Sequence, residues 1–304
     1  MSEPFKIGIA GLGTVGAGLV ALLQKNHDVI AARAGRPIEI IAVSARDKNK
    51  NRGVDLSAYV WEDRPEGLLS HEIDCIVELV GGEKGAAFDL VSSALDQKKH
   101  VVTANKAMLA HHGLVLAEKA EGNGVALAYE AAVAGGIPII KAIREGLAGN
   151  RISRLYGILN GTCNYILTEM RETGRAYDDV LAEAQKLGYA EADPSFDVDG
   201  IDAAHKLCLL TALAFGVQPD FDSLQAKGIS TVTAVDISFA SELGYKIKLL
   251  CMAEQSGDKV LQSVEPRLVL ADGPVGSVEG VLNAVYAQGD FVGSVVAEGP
   301  LRSG

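Results

Sequence analysis

The sequence predicts an α/β protein in two parts, a parallel sheet flanked by helices followed by a second, α+β part. Three observations carry this. Short apolar runs alternate with amphipathic stretches as far as about residue 130, the pattern of βαβ units. A glycine-rich turn, Gly11-Leu12-Gly13-Thr14-Val15-Gly16, joins the first apolar run to the first amphipathic stretch. Around Ala131-Pro138 the character changes, and helical patterns cluster before strand-like runs return. The expected division is 1–132 and 133–304.

Each element has a local reason. Lys6-Ala10 is a short apolar strand. Thr14-Gln24 is a helix with Val15, Leu19, Leu22 and Leu23 towards one side. Ile38-Ser44, Ile73-Val80 and His100-Thr103 are further strands, with a helix expected over Gly85-Lys98. Gly113-Glu121 reads as a helix and Val125-Glu130 as the strand after it. In the second part Ile152-Leu159 is strand-like. Thr162-Glu172, Tyr177-Leu187 and the apolar Asp199-Gly216 are helical, and Lys246-Ala253, Arg267-Leu270 and Phe291-Ala297 return to strand.

Composition narrows the function. With 48% hydrophobic and 22% charged residues over 304 positions, the chain is an ordinary globular one with room for two cores. A net charge of -11 supplies no basic face for nucleic acid. Cys75, Cys163, Cys208 and Cys251 are scattered without a CxxC pair and read as reduced core thiols. The N-terminus passes from Met1-Ser2-Glu3-Pro4-Phe5 into the first strand with no signal-peptide pattern. No run of about 18 apolar residues follows, so a cytoplasmic enzyme is expected, with no membrane contact.

GxGxxG directly after a strand and opening a helix is the arrangement that binds a dinucleotide pyrophosphate. Gly11, Gly13, Thr14, Val15 and Gly16 are therefore cofactor candidates, and 1–132 a Rossmann-type domain. The second strand ends Val43-Ser44-Ala45-Arg46-Asp47. Arg46 suits the 2′-phosphate of NADP, and Asp47 beside it leaves NAD open as well. Glu78-Leu79-Val80-Gly81-Gly82 and Thr103-Ala104-Asn105-Lys106 end the next strands at the sheet's carboxyl edge, where ligands bind. Thr103 joins the cofactor set, and Lys106 joins both the cofactor set and the catalytic candidates.

The densest chemistry lies between Ala184 and Lys206, AQKLGYAEADPSFDVDGIDAAHK. Glu191, Asp193, Asp197, Asp199, Asp202 and Lys206 gather around a turn-rich loop that enters a helix. Asp202 and Lys206 are four apart and share a helix face. One reading is a surface i,i+4 salt bridge. The other is a carboxylate–ammonium pair that binds a small charged substrate and passes it a proton.

This segment resembles the homoserine dehydrogenase family at Ala184, Gly188, Asp193, Pro194, Asp197, Gly200, Asp202 and Lys206, with no mismatch. The glycine turn, the Glu78–Gly82 run and the Asn105-Lys106 pair match the same family in order and spacing. The resemblance implies NAD(P)-dependent interconversion of L-homoserine and L-aspartate 4-semialdehyde, a step towards threonine, isoleucine and methionine. It implies a homodimer whose second part binds substrate and dimerises. Lys206 is the expected proton donor and Lys106 the second candidate. Glu191 and Asp202 hold the substrate's amino and hydroxyl groups, and Gly188 and Tyr189 form a turn near cofactor or substrate. The resemblance also implies a sodium or potassium ion at the Glu130–Pro138 hinge, on Glu130, Val133, Gly135 and Ile137.

The resemblance runs to Gly299-Pro300. Family members continue with a glycine-rich loop, a helix returning to the nucleotide domain, and often an ACT-type regulatory domain. This chain ends Leu301-Arg302-Ser303-Gly304 and is expected to be a catalytic core lacking that C-terminal part, folded but binding NADP poorly. Two other readings stay open on sequence alone: a different dehydrogenase of small amino or hydroxy acids, and a catalytically silent nucleotide-binding module.

Overall fold

A computed structural model describes residues 3–300. The last four residues, where the resemblance is expected to have broken off, lie outside the described residues. The chain forms two compact units, residues 3–132 and 133–300.

In the first unit the strands are β1 (Phe5–Ala10), β2 (Ile38–Ser44), β3 (Val60–Glu62), β4 (Cys75–Glu78), β5 (His100–Thr103) and β6 (Leu127–Ala128). They form one six-stranded sheet ordered β3-β2-β1-β4-β5-β6, parallel throughout. The chain steps outward from β1 to β3, then crosses back to β4 on the other side of β1. This reversal makes the β1–β4 boundary the switch point at which open α/β sheets take ligands. Helices α1 (Thr14–Lys25), α2 (His27–Ala34), α3 (Ala86–Asp96) and α4 (Lys106–Gly122) complete the βαβ units. Ile7, Ile9, Leu12, Val20, Val43, Cys75 and Val77 pack as one buried cluster. The expected Rossmann-type architecture is therefore present.

Two helices differ from expectation. α2 buries none of its residues, so it carries no apolar periodicity to read. α4 starts at Lys106 rather than Gly113, because Asn105 caps it by accepting a hydrogen bond from Met108 N at 3.1 Å. Gly113 sits inside this helix, where its low helix propensity hides the continuity.

The short helix α5 (Glu130–Val133) runs to the first residue of the second unit, which continues with the short helix α6 (Ile139–Lys141) and a π turn at Ala142–Gly146. Next come β7 (Ile152–Ile158), α7 (Gly161–Thr173), α8 (Tyr177–Lys186), α9 (Ser195–Val198) and α10 (Ile201–Phe215). The unit closes with β8 (Gln225–Ala226), α11 (Ala234–Glu242), β9 (Tyr245–Ser256), β10 (Lys259–Leu270), β11 (Leu282–Gly289) and β12 (Gly293–Pro300). The sheet order is β12-β11-β7-β9-β10-β8, antiparallel except where β8 meets β10. α7 and α10 lie against it.

The expected second domain is thus α+β, with corrections. β10 runs twelve residues, not the four of Arg267–Leu270. β11 was not expected, because it buries small residues on both faces (Ala284, Val285, Ala287) and shows no alternation. Helix α11 is announced by a capping box, Thr233 with Asp236, that an apolar-period reading passes over. Ile152–Leu159 and Lys246–Ala253 form central strands. The exposed apolar side chains sit on β10 and β12, where Leu261, Leu268, Leu270 and Val296 are each more than half exposed.

The segment between β10 and β11 is held by a buried charge cluster. Lys248 is 1% exposed, and its Nζ donates to Asn164 Oδ1 at 2.8 Å, Val278 O at 2.6 Å and Glu279 Oε2 at 3.0 Å. Glu279 also pairs with Lys246, and with Arg171 at 2.7 Å. Burial pushes the Lys248 ammonium down to about 8. Burial alone would raise the Glu279 carboxyl, but hydrogen bonds and charge from Lys246, Lys248 and Arg171 outweigh it and hold it at about 2.

A carboxyl depressed by folding stabilises the native state above its ordinary value of 4.5, and that contribution is lost as pH falls towards 2. Glu279→Gln is therefore expected to melt below the parent at neutral pH, with the gap narrowing as pH drops through this window. Thermal melts across pH 2–7 check this, and a gap independent of pH would contradict it.

Candidate active site

The nucleotide end of the first unit is built on the β1–α1 turn. Gly11 has φ +97°, and a Cβ there would meet Leu79 O at 2.4 Å, so the turn is pressed against the end of β4. A Cβ on Gly16 would meet Gly11 O at 2.0 Å, which closes the helix onto its own turn. Gly13, Thr14 and Val15 are exposed, and α1 begins with no side-chain cap. Its first N–H groups and positive dipole end therefore face outward.

A groove of about 500 Å³ runs from Gly13, Thr14 and Ala17 to the 50–54 segment. Arg52 pins that segment, donating to Leu12 O at 3.0 Å and to Lys50 O at 2.8 Å and stacking over Trp61. Arg46 is exposed just beyond β2. The Asp47 carboxylate beside it accepts from Asn49 N at 2.8 Å.

The carboxyl ends of β4 and β5 are tied by Glu78, which is fully buried. Its Oε1 accepts from Val80 N at 2.8 Å and Gly81 N at 3.0 Å, and its Oε2 accepts from Thr103 Oγ1 at 2.5 Å. Asn105 Nδ2 donates to Gly82 O at 2.7 Å. Thr103 is thus buried beneath this edge, and Lys106 is the first residue of α4.

The second unit holds a buried carboxylate–ammonium pair. Lys206 and Asp202 are 8% and 5% exposed, so the surface salt-bridge reading fails. Lys206 Nζ donates to Asp202 Oδ2 at 2.7 Å and to Leu159 O at 2.9 Å. The carbonyl comes from the end of β7 and the carboxylate from the first turn of α10. Gly188 (φ +78°) starts a turn in which Tyr189 N donates to Ala184 O at 2.8 Å. Thr162 Oγ1 donates to Tyr189 O at 2.8 Å, and the Tyr165 and Tyr189 rings lie 4.8 Å apart, so α7 carries this loop. Glu191 is exposed on the same loop.

Comparison with known proteins was made against this geometry. The family model for homoserine dehydrogenase matches residues 138–303, and the model for the homoserine dehydrogenase NAD-binding domain matches residues 11–130. The chain is 50% identical over 297 residues to homoserine dehydrogenase of Pseudomonas aeruginosa, covering 98% of this chain and 68% of that protein.

The chain belongs to the homoserine dehydrogenase family.

The crystal structure of a homoserine dehydrogenase from Thiobacillus denitrificans superposes with a TM-score of 0.95 at 46% identity, over 99% of this chain and 69% of that one. A hyperthermophilic archaeal homoserine dehydrogenase in complex with NADPH superposes with a TM-score of 0.83 at 27% identity, over 99% of this chain and 93% of that one. Membership in the homoserine dehydrogenase family makes the chain an NAD(P)-dependent oxidoreductase that interconverts L-homoserine and L-aspartate 4-semialdehyde. The reading as a silent nucleotide module gives way to this.

The first unit fits a nicotinamide nucleotide. A Cβ built on Gly13 or Gly81 meets nothing within 4 Å, so the ridge beside the uncapped helix end is open to a pyrophosphate. Sequence reasoning missed Asn160, Glu78 and Arg52. Asn160 carried a readable signal, since an asparagine between a strand and a helix is a natural N-cap, and its Oδ1 accepts from Cys163 N at 2.8 Å. Glu78 stood inside a quoted motif, but nothing in the motif says its carboxylate turns inward.

Proposed function

We propose that Lys206 is the proton donor in reduction of L-aspartate 4-semialdehyde, with NADP preferred over NAD. The observation that carries this is the buried ammonium with two of its three donors already committed, to Leu159 O and Asp202 Oδ2. One donor remains for a substrate oxygen. A nicotinamide nucleotide held at the Gly11–Gly16 turn would supply the hydride chemistry. As negative charge grows on the aldehyde oxygen, the ammonium stabilises it and releases a proton to it. Asp202 holds the ammonium oriented through its 2.7 Å bond to Nζ. In the reverse direction oxidation of L-homoserine releases one proton overall, so alkaline solution favours that direction by mass action.

The substrate's amino group is assigned to Glu191, with Gly188 and Tyr189 shaping the turn around it. Lys106, at the first turn of α4, is the second ammonium for cofactor or substrate. Gly11, Gly13, Thr14, Val15, Gly16 and Thr103 line the cofactor end. Arg46 reads the 2′-phosphate, a role supported by its exposure just beyond β2. In this reading residues 1–132 bind cofactor, while 133–304 bind substrate and dimerise. The reaction serves synthesis of threonine, isoleucine and methionine in the cytoplasm. No helix among the described residues is long and apolar enough to cross a membrane, and the net charge of -11 disfavours nucleic acid.

Two finer features belong to the same reading. Exposed leucines on β10, with β12 at a sheet edge, support a homodimer. A sodium or potassium ion is assigned to carbonyl oxygens of Glu130, Val133, Gly135 and Ile137. These are hard donors that suit such a cation, and Ile137 O keeps a lone pair beyond its 2.8 Å bond from Ile139 N. Light scattering that finds a monomer would end the first assignment, and unchanged activity with choline in place of both cations would end the second.

Lys206→Ala is expected to lower kcat by about 10²–10⁴-fold while leaving NADPH affinity nearly unchanged. Steady-state kinetics with L-aspartate 4-semialdehyde test this, and a variant that keeps most of its turnover removes Lys206 from the reaction. Arg46→Ala is expected to weaken NADPH about 10–150-fold, the value of a charge-assisted contact, with little effect on NADH. Equal losses in titrations of both cofactors would assign the 2′-phosphate to another residue.

A further inference from the structure

We propose that Asn160 is a positioning residue for the Lys206–Asp202 pair, and that Leu159-Asn160 acts as one clamp on both of its members. This rests on the assignment of Lys206 as proton donor. Asn160 is 4% exposed and sits in the turn between β7 and α7. Its Nδ2 donates to Asp202 Oδ2 at 2.9 Å and to Asp197 Oδ1 at 2.8 Å. The oxygen it reaches on Asp202 is the one that accepts from Lys206 Nζ. The neighbouring carbonyl, Leu159 O, takes a second donor of the same ammonium. Two consecutive residues therefore hold the pair from both sides, the main-chain carbonyl on the ammonium and the side-chain amide on the carboxylate.

The residue type follows from the geometry. Asp197 and Asp202 arrive from α9 and α10 and meet at one buried nitrogen. An amide NH₂ offers one proton to each, and no other side chain of this size gives two donors together with an acceptor. The acceptor, Oδ1, caps α7 through Cys163 N at 2.8 Å. A serine keeps the cap but is too short to bridge the carboxylates. An aspartate keeps both shape and cap but turns two attractions into repulsions. With the bridge gone, Asp202 Oδ2 loses the donor opposite Lys206, and the remaining N–H of Lys206 loses its aim at the substrate oxygen. Small misplacements of this kind cost up to about 100-fold in rate.

The two roles of Asn160 rank its variants in opposite orders. If Asn160 only caps α7, then Asn160→Ser is nearly silent and Asn160→Ala is the damaging change, because Ser is a good cap. If it positions the pair, Asn160→Ser melts close to the parent and retains its affinity for NADPH, yet loses about 10–100-fold in kcat. Asn160→Asp then loses at least as much. In an Asp202→Ala background, Asn160→Ser should have little further effect, since the coupling runs through Asp202. Wild-type kcat in Asn160→Ser, or full additivity with Asp202→Ala, would overturn the proposal. Lys206→Ala run in the same assay separates the failures. If it keeps its turnover, the donor assignment falls, whereas an inactive Lys206→Ala beside a fully active Asn160→Ser refutes the clamp alone.

Discussion

The buried ammonium of Lys206 is the constraint around which the second unit is arranged. A charge this far from water costs several kcal/mol unless it is paired and hydrogen-bonded. The fold meets the requirement with groups distant in sequence: a carbonyl at the end of β7, a carboxylate in the first turn of α10 and an amide that anchors the carboxylate. The end of β7 must therefore lie against the start of α10. Gly200 allows that entry, since its φ of +82° is left-handed and a Cβ would press on Val264 at 3.3 Å. The carboxylate in the first helical turn also suits the helix dipole. Lys248 offers a contrast within the same unit. Its three donors are spent on Asn164, Val278 and Glu279, and it fastens a loop. Lys206 has spent two and keeps one N–H uncommitted, as the proposed donor role requires.

The first unit follows the same economy of donors. α4, α7 and α11 begin under the side chains of Asn105, Asn160 and Thr233. α1 begins at Gly13 with no such cap, immediately after the strand at the switch point of the sheet. Its free N–H groups are the resource an anionic cofactor uses. Nearby, Glu78 takes the N–H groups of Val80 and Gly81 together with the Thr103 hydroxyl, so the ends of two adjacent strands are fixed by one carboxylate.

What could be read from sequence was whatever repeats or sits at short spacing. β1, β2 and β4 showed as apolar runs because a parallel sheet buries both faces. The glycine turn is local, and so is the four-residue step from Asp202 to Lys206. The missing parts are non-local or main-chain. Asn160 meets Asp202 across 42 residues, and the acceptor at Leu159 is a backbone oxygen that leaves no trace in residue type. The same i,i+4 spacing describes a solvated salt bridge, and only burial separates the two. α2 and β11 escaped for a different reason, one lying wholly on the surface and the other packing small residues on both faces, so neither has a period.

In the proposed role, the uncommitted N–H of Lys206 is aimed at the reacting oxygen. The most direct measurement is a crystal structure of the protein with oxidised nicotinamide cofactor and L-homoserine. The substrate hydroxyl oxygen is expected within about 3 Å of Lys206 Nζ, with the bonds to Leu159 O and Asp202 Oδ2 retained. A substrate whose hydroxyl is held by another group, with Lys206 still bound only to its two protein acceptors, would contradict it.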